Sequence, residues 1–291
     1  MHLRHHLLRL TAALPALLFL AALPLRSQPA ANNADRRPGA AADEPVMVVL
    51  KLDDLRTSPS GWLSERWRRL ASFAQERRLR YSIGVIASSL EGAKPPYRKW
   101  LDGVKASGLA EFWCHAWDHK TWTDTEGVER PEFCGRDYDE QKKRLADAQA
   151  QAVAVLGAPF AVFGPPGGGK SSTFDATTLR VISDDPHMRG ILYPKPLDDA
   201  GRALEAAGKI TVLDRVWRIN IERPLFLPNS TYLAANWKAA AAKRRYVILQ
   251  GHPNHWDDAR WAEFVKIVDF LAAENVRFVT PSELIATLAG K

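Results

Sequence analysis

The chain has 291 residues, 46% of them hydrophobic and 25% charged, with a formal net charge of +7. That balance excludes a disordered or fibrous chain, and the length suits one large domain or two small ones. A domain of about 240 residues buries enough apolar surface to stand without disulfide support.

The N-terminus reads as an export segment. Arg4 and Arg9 flank a His-rich start, and an uncharged apolar run follows from Leu10 to Leu25. The run is short and interrupted by Pro, and small residues follow it, which fits a cleaved signal better than a membrane span. Residues 1–27 are therefore expected to be a signal peptide and residues 28–45 a polar linker. The mature protein is expected to be secreted or periplasmic, touching a membrane only if the first segment stays uncleaved. Removing residues 1–27 takes away three arginines and no acids, so the charge falls from +7 to +4. That is too modest to point to a nucleic-acid partner.

The folded part starts at Val46, with the buried-strand pattern Val46-Met47-Val48-Val49-Leu50. Helical periodicity covers Trp62–Arg77, and a strand is expected at Leu79–Val85. A helix near Tyr97–Ala106, a strand at Ala110–Cys114 and a long helix from Tyr138 to Val155 come next. Phe160–Phe163 reads as a strand, Asp175 as the cap of a helix running through Ile182, and Ile191–Tyr193 as a strand again. Late in the chain, Tyr246–Gln250 and Val276–Val279 are expected strands, and Asp258–Ala273 and Pro281–Leu288 helices. This β-α alternation predicts an α/β fold with a mostly parallel sheet, open or closed into a barrel, over residues 46–291.

Such folds do their chemistry at the carboxyl ends of the strands. Four polar clusters fall there: Asp53-Asp54, His115 after Cys114, Gly164-Pro165 after Phe163, and Gly251-His252 after Gln250. His115 and His119 are four apart, on one face of a helical turn, close enough to bind one metal. Without residues 1–27 five His remain, and four of them (His115, His119, His252, His255) sit in two of these clusters. Adjacent carboxylates ending an apolar strand repel one another, so a compensating cation is expected. Ten Trp is a high count, and Trp113, Trp117, Trp122 and Trp256 lie beside these clusters. That placement suits core packing, and equally the flat faces of sugars. Cys114 and Cys134 are the only cysteines. In an exported protein they suit a disulfide, with free buried thiols the next reading; Cys114 as a zinc ligand is weak without a CxxC partner.

The ordered series Asp53-Asp54, His115 with His119, Phe163-Gly164-Pro165-Pro166, then His252 and Trp256 resembles the motif order of the polysaccharide deacetylases, the carbohydrate esterase family 4 type. Phe278-Val279-Thr280-Pro281-Ser282-Glu283-Leu284 is similar to that family's last strand and helix. The resemblance covers about Val46 to Leu288 and implies a distorted (β/α) barrel. It implies a metal-dependent hydrolase removing acetyl groups, N-linked by expectation, from an acetylated glycan. Asp53 would be the catalytic base and His252 the general acid. Asp54, His115 and His119 would hold a divalent metal, best zinc, and Pro165, Pro166 and Trp256 would line the substrate site.

Two departures stand out. The family's third motif usually offers an Arg where this chain has Gly164, so another cation, Arg218 or Lys170, is expected to take its place; otherwise the site is altered, and the chain could bind glycan without turnover. The fourth motif has one candidate, Asp214-Arg215-Val216-Trp217. The same loop also fits the phosphate-binding pattern GxxxxGK[ST] from Gly164 to Ser171, a nucleotide-binding alternative with Asp214 as its acidic strand end. That alternative needs its helix to begin at Lys170, whereas Asp175 looks like the cap, and it leaves the His clusters unexplained.

Overall fold

The computed structural model describes residues 44–167, 173–241 and 244–290. The expected signal peptide, nearly all of the linker, and Lys170 with the loop residues around it lie outside these.

The chain alternates strands and helices: β1 (Val46–Leu55), α1 (Glu65–Arg77), β2 (Tyr81–Val85), α2 (Pro95–Ala106) and β3 (Ala110–Cys114). A two-stranded hairpin, β4 (Trp122–Thr123) and β5 (Glu129–Arg130), interrupts the series before α3 (Tyr138–Gln151) and β6 (Val162–Phe163). There follow α4 (Ala176–Asp184), β7 (Gly190–Leu192), α5 (Asp199–Ala206), β8 (Thr211–Leu213) and α6 (Ser230–Ala241). β9 (Tyr246–Gly251), α7 (Asp258–Ala273), β10 (Val276–Phe278) and α8 (Pro281–Ala289) complete it. The expected helices and strands all occur, with ends shifted by a few residues. The long helix finishes as a π turn over Ala152–Leu156, closed by Gly157 in a left-handed conformation. The hairpin, α5 and α6 are not among the expected elements, and β8 is expected only under the nucleotide-binding alternative.

All strand pairs of the main sheet are parallel, in the order β1-β2-β3-β6-β7-β8. One edge of β1 is taken by β9 along Met47–Leu52, while β10 and then β2 share the other. The result is a nearly closed barrel wrapped by helices. Among the described residues β8 and β9 do not pair through their backbones. Side chains span that border instead: Tyr246 Oη donates to Asp214 Oδ1 at 2.9 Å, and Arg244 pairs with the same oxygen at 2.7 Å.

Strand alternation sorts the residues. Val46, Val48, Leu50 and Leu52 of β1, with Val247 and Leu249 of β9, pack against the helix layer. Met47 and Val49, with Tyr246, Ile248, Trp113, Leu192 and Leu213, form a separate cluster inside the barrel. The inward series of β1 continues to Lys51 and Asp53, and that of β9 to Gln250, so three polar residues follow the same alternation into the interior. The Trp113 indole fills this space: a Cβ on Gly84 or Gly164 would come within 2.3 Å of it. Gly164, where the family motif would carry an Arg, is therefore held small by Trp113.

Cys114 and Cys134 are separate buried thiols, so the expected disulfide is not formed. Cys114 ends β3 in the fully buried core; burial pushes its thiol up, away from the thiolate a metal would need. The helix after the glycine loop starts at Ala176, capped by Asp175 in a reciprocal capping box with Thr178. That agrees with the reading of Asp175 as the cap and disfavours a phosphate loop, whose helix must begin at the lysine.

Candidate active site

Asp53, Asp54, His115, His119 and His252 converge at one end of the barrel, where β1, β3 and β9 finish. Asp53 is 1% exposed, and its carboxylate accepts from Lys51 Nζ at 2.7 and 2.5 Å and from Gln250 Nε2 at 2.6 Å. Gln250 in turn accepts from Arg215 Nη1 at 2.6 Å. Burial alone would raise the Asp53 pKa; the Lys51 charge, with His115 and His252, outweighs it and holds the carboxyl below its ordinary range. The compensating cations are therefore Lys51, in direct contact, and Arg215, through Gln250. Arg218 was the wrong choice: it is exposed on the loop after β8, and no ion pair joins it to Asp53 among the described residues. Lys170 lies outside them.

Asp54 has φ +71°, a left-handed conformation disfavoured for a non-Gly residue. Asn254 Nδ2 donates to its carbonyl at 2.7 Å, so the turn after β9 clamps the irregular end of β1. His115 Nδ1 meets the Gly164 carbonyl at 2.8 Å. A carbonyl can only accept, so Nδ1 carries a hydrogen and Nε2 is the ring nitrogen turned toward Asp54. That nitrogen lies 3.2 Å from Asp54 Oδ1, and His119 Nε2 lies 3.5 Å from the same oxygen. Asp54 Oδ1 is buried without a hydrogen-bond partner.

These features fit a divalent ion. The three ligand atoms lie within 4.8 Å of one another. A tetrahedral centre with bonds of about 2.1 Å places its ligands about 3.4 Å apart, close to the separations of 3.2 and 3.5 Å found here. Burial, then the neighbouring His115, pushes the His119 pKa down, which favours the neutral ring a metal ligand needs.

The histidine pair does not sit on a helical turn as its spacing had implied. Residues 115–121 form an irregular loop in which Ala116 (φ +66°) and His119 (φ +56°) are left-handed. The buried carboxylate of Glu132 holds this loop, accepting from the amides of Trp117, Asp118 and His119 at 2.8, 3.0 and 2.5 Å. Glu132 lies in a loop with no pattern that announces it, and the sequence reading missed it.

Glu222 was missed as well. Its buried carboxylate accepts from His252 Nδ1 at 2.7 Å, the His252 amide at 2.7 Å, Trp256 Nε1 at 2.8 Å and the Phe226 amide at 3.0 Å. Every acceptor position is used, as a buried carboxylate requires. Burial alone would lower the His252 pKa, but the Glu222 hydrogen bond and the charges of Asp53 and Glu222 raise it overall. His252 Nε2 then faces Asp53 Oδ2 across 3.8 Å. Asp214, from the expected fourth-motif segment, fastens the β8–β9 border, whereas the carboxylate that holds His252 is Glu222.

Three residues expected to line the substrate site are buried. Trp256 is 0% exposed, stacked on Phe264 with its N–H spent on Glu222. Pro165 and Pro166 are buried behind Gly164. The Trp256 indole acts on the site through Glu222. A cleft of about 1110 Å³ opens beside Asp54, walled by the loop after β1 and by Trp117, Lys120 and His255.

No protein-family profile matches the sequence, and no curated protein sequence matches it. Solved structures do. A family 4 acetyl xylan esterase from Clostridium thermocellum, in complex with a cobalt ion, aligns with TM-score 0.54 at 15% identity, over 84% of this chain and 92% of that one. A mutant of a family 4 pseudoenzyme from Bacillus anthracis, with restored enzymatic activity, gives 0.53 at 15%, over 84% and 68%. The chitin deacetylase of the fungal pathogen Colletotrichum lindemuthianum gives 0.51 at 12%, over 83% and 88%. The chain thus has the polysaccharide deacetylase fold, a distorted (β/α) barrel, and the resemblance of the motifs extends to the architecture that carries them.

Proposed function

We propose that this chain is a metal-dependent hydrolase that removes acetyl groups, N-linked in the first instance, from a glycan outside the cytoplasm. The observation that carries this reading is the convergence of Asp54 Oδ1, buried without a hydrogen-bond partner, with His115 Nε2 and His119 Nε2 at metal-ligand spacing, and Asp53 and His252 beside them.

A divalent ion held by Asp54, His115 and His119, with zinc best suited to that donor set, supplies polarisation of the acetyl carbonyl and activation of water. Asp53 Oδ2, 3.9 Å from His115 Nε2 and 3.8 Å from His252 Nε2, takes the proton from the attacking water. Lys51 and Gln250 fix that carboxylate so that it cannot turn away. His252, whose protonated form the Glu222 carboxylate favours, gives its Nε2 proton to the departing amine and keeps its Nδ1 hydrogen on Glu222. Asn254 and Glu132 hold Asp54 and His119 in their left-handed conformations. Backbone strain of this kind costs about 1–3 kcal/mol per residue and persists where surrounding contacts enforce it.

A glycan-binding protein without turnover was the second reading, motivated by Gly164. Lys51 and Arg215 remove much of that motive, since the base has its cations from other elements. The test is acetate release from acetylated xylan, N-acetylglucosamine oligomers and peptidoglycan fragments, with and without a chelator. Release that the chelator stops and zinc restores is expected; glycan binding with no acetate from any of them would establish the second reading.

A further inference from the structure

Trp62 is 69% exposed, the most exposed of the large hydrophobic side chains among the described residues. Helical periodicity extends back to Trp62, but α1 begins at Glu65 and Trp62 belongs to the turn before it. That turn is fixed. Thr57 bridges Leu63, the Ser58 amide donates to the Trp62 carbonyl at 2.9 Å, and the Trp62 amide donates to Ser58 Oγ at 3.1 Å. Lys94 Nζ donates to the Ser60 carbonyl at 2.6 Å, tying the tip to the start of α2. The indole is thus held in water on a rigid mount, at the wall of the cleft that begins at Asp54.

The cleft shows what would use it. At about 1110 Å³ it exceeds the roughly 300–1,000 Å³ that encloses one drug-sized ligand, so it holds more than a single sugar unit. Apart from Asp54, its fixed charges are Arg56 and Lys120 against Glu91 and Asp118, which cancel. Lys120 and Asp118 also pair with each other at 3.6 Å. A balanced wall with an aromatic ring gives no field to attract a polyanion.

We propose that Trp62 is the stacking platform of a distal sugar subsite, and that the cleft takes an uncharged glycan of several units. The glycan runs from the Asp54 end to the indole. This rests on the deacetylase reading for the position of the reacting unit, but binding can be measured without turnover.

The test uses N-acetylglucosamine oligomers of two to six units, and an oligogalacturonate of six units as the charged probe. Affinities are measured by calorimetry on the full protein and on Trp62→Ala and Trp62→Phe. Affinity for the neutral series should rise with length. Trp62→Ala should remove that rise, weakening the longest oligomer about 3–10-fold while leaving the dimer unchanged, and Trp62→Phe should retain most of it. An unchanged thermal midpoint checks that the exposed site has not perturbed the fold. Equal losses at every length, no loss at any length, or tighter binding of the galacturonate than of the neutral hexamer would each overturn the proposal. Acetate release by the unmutated protein reports separately on catalysis. Length-dependent binding through Trp62 without acetate sinks only hydrolysis; acetate with no Trp62 effect sinks only the platform.

Discussion

Lys51 and Asp53 are two residues apart on one strand, point into the same barrel interior, and form an ion pair at 2.5 Å with both side chains almost wholly buried. The Trp113 ring closes over the ammonium, 4.7 Å from its centroid. Burial pushes the Lys51 pKa down, and the Asp53 charge opposes that. Neither charge has water to fall back on, so each depends on the other.

Breaking such a pair from one side leaves an uncompensated buried charge, at a cost of about 3–5 kcal/mol. Lys51→Met should therefore destabilise the protein by that order in chemical denaturation, and Lys51→Met with Asp53→Asn should recover part of the loss. A single mutant as stable as the parent would mean that Asp53 does not depend on Lys51.

Asp53 and Asp54 are chemically identical neighbours that the structure puts to different uses. Asp54→Asn should lower metal content and acetate release together. Asp53→Asn should keep the metal and lose about 10²–10⁴-fold in kcat. Metal analysis and acetate release on both variants decide it; equal metal loss in the two would reverse the assignment of the base.

Glu222→Gln tests the His252 relay through pH. With Glu222 present the folded His252 pKa lies above its ordinary value, so its contribution to stability is full below the unfolded pKa of about 6.5. That contribution is lost as pH rises through the folded pKa. Glu222→Gln should thus be most destabilising on the acid side, the gap to the parent narrowing as pH rises. In turnover, the alkaline limb that marks loss of the protonated acid should move to lower pH. A pH–rate profile unmoved by Glu222→Gln would remove His252 from the role of acid.

The element order was legible because buried strands and capped helices leave periodic traces: β3 and α7 fall where the apolar pattern puts them. The hairpin strands are two residues each, too short for any period to show. α6 carries apolar residues all round, through Ala234, Ala235 and Ala239 to Ala241, so it has no face to read. The Asp and His residues were legible because reactive groups at strand ends are rare. Lys51 was legible too and was passed over: in a strand, positions i and i+2 share a face, so the cation that Asp53 needs was two residues away. Glu222 and Glu132 left no such trace. Each holds site residues thirteen to thirty-four positions away through a fold the local pattern does not encode.

The border between β8 and β9 carries its own consequence. Elsewhere the barrel is sewn by peptide hydrogen bonds, which ionic strength hardly affects. Here it is fastened by a carboxylate, a guanidinium and a phenol, with Arg215 and Gln250 farther along the same line. Gln250 also grips Asp53. The two partners of the ionic clasp are only 17% and 6% exposed, so salt screens it weakly, and the join that leads on through Arg215 and Gln250 toward Asp53 holds at ionic strengths that loosen surface pairs.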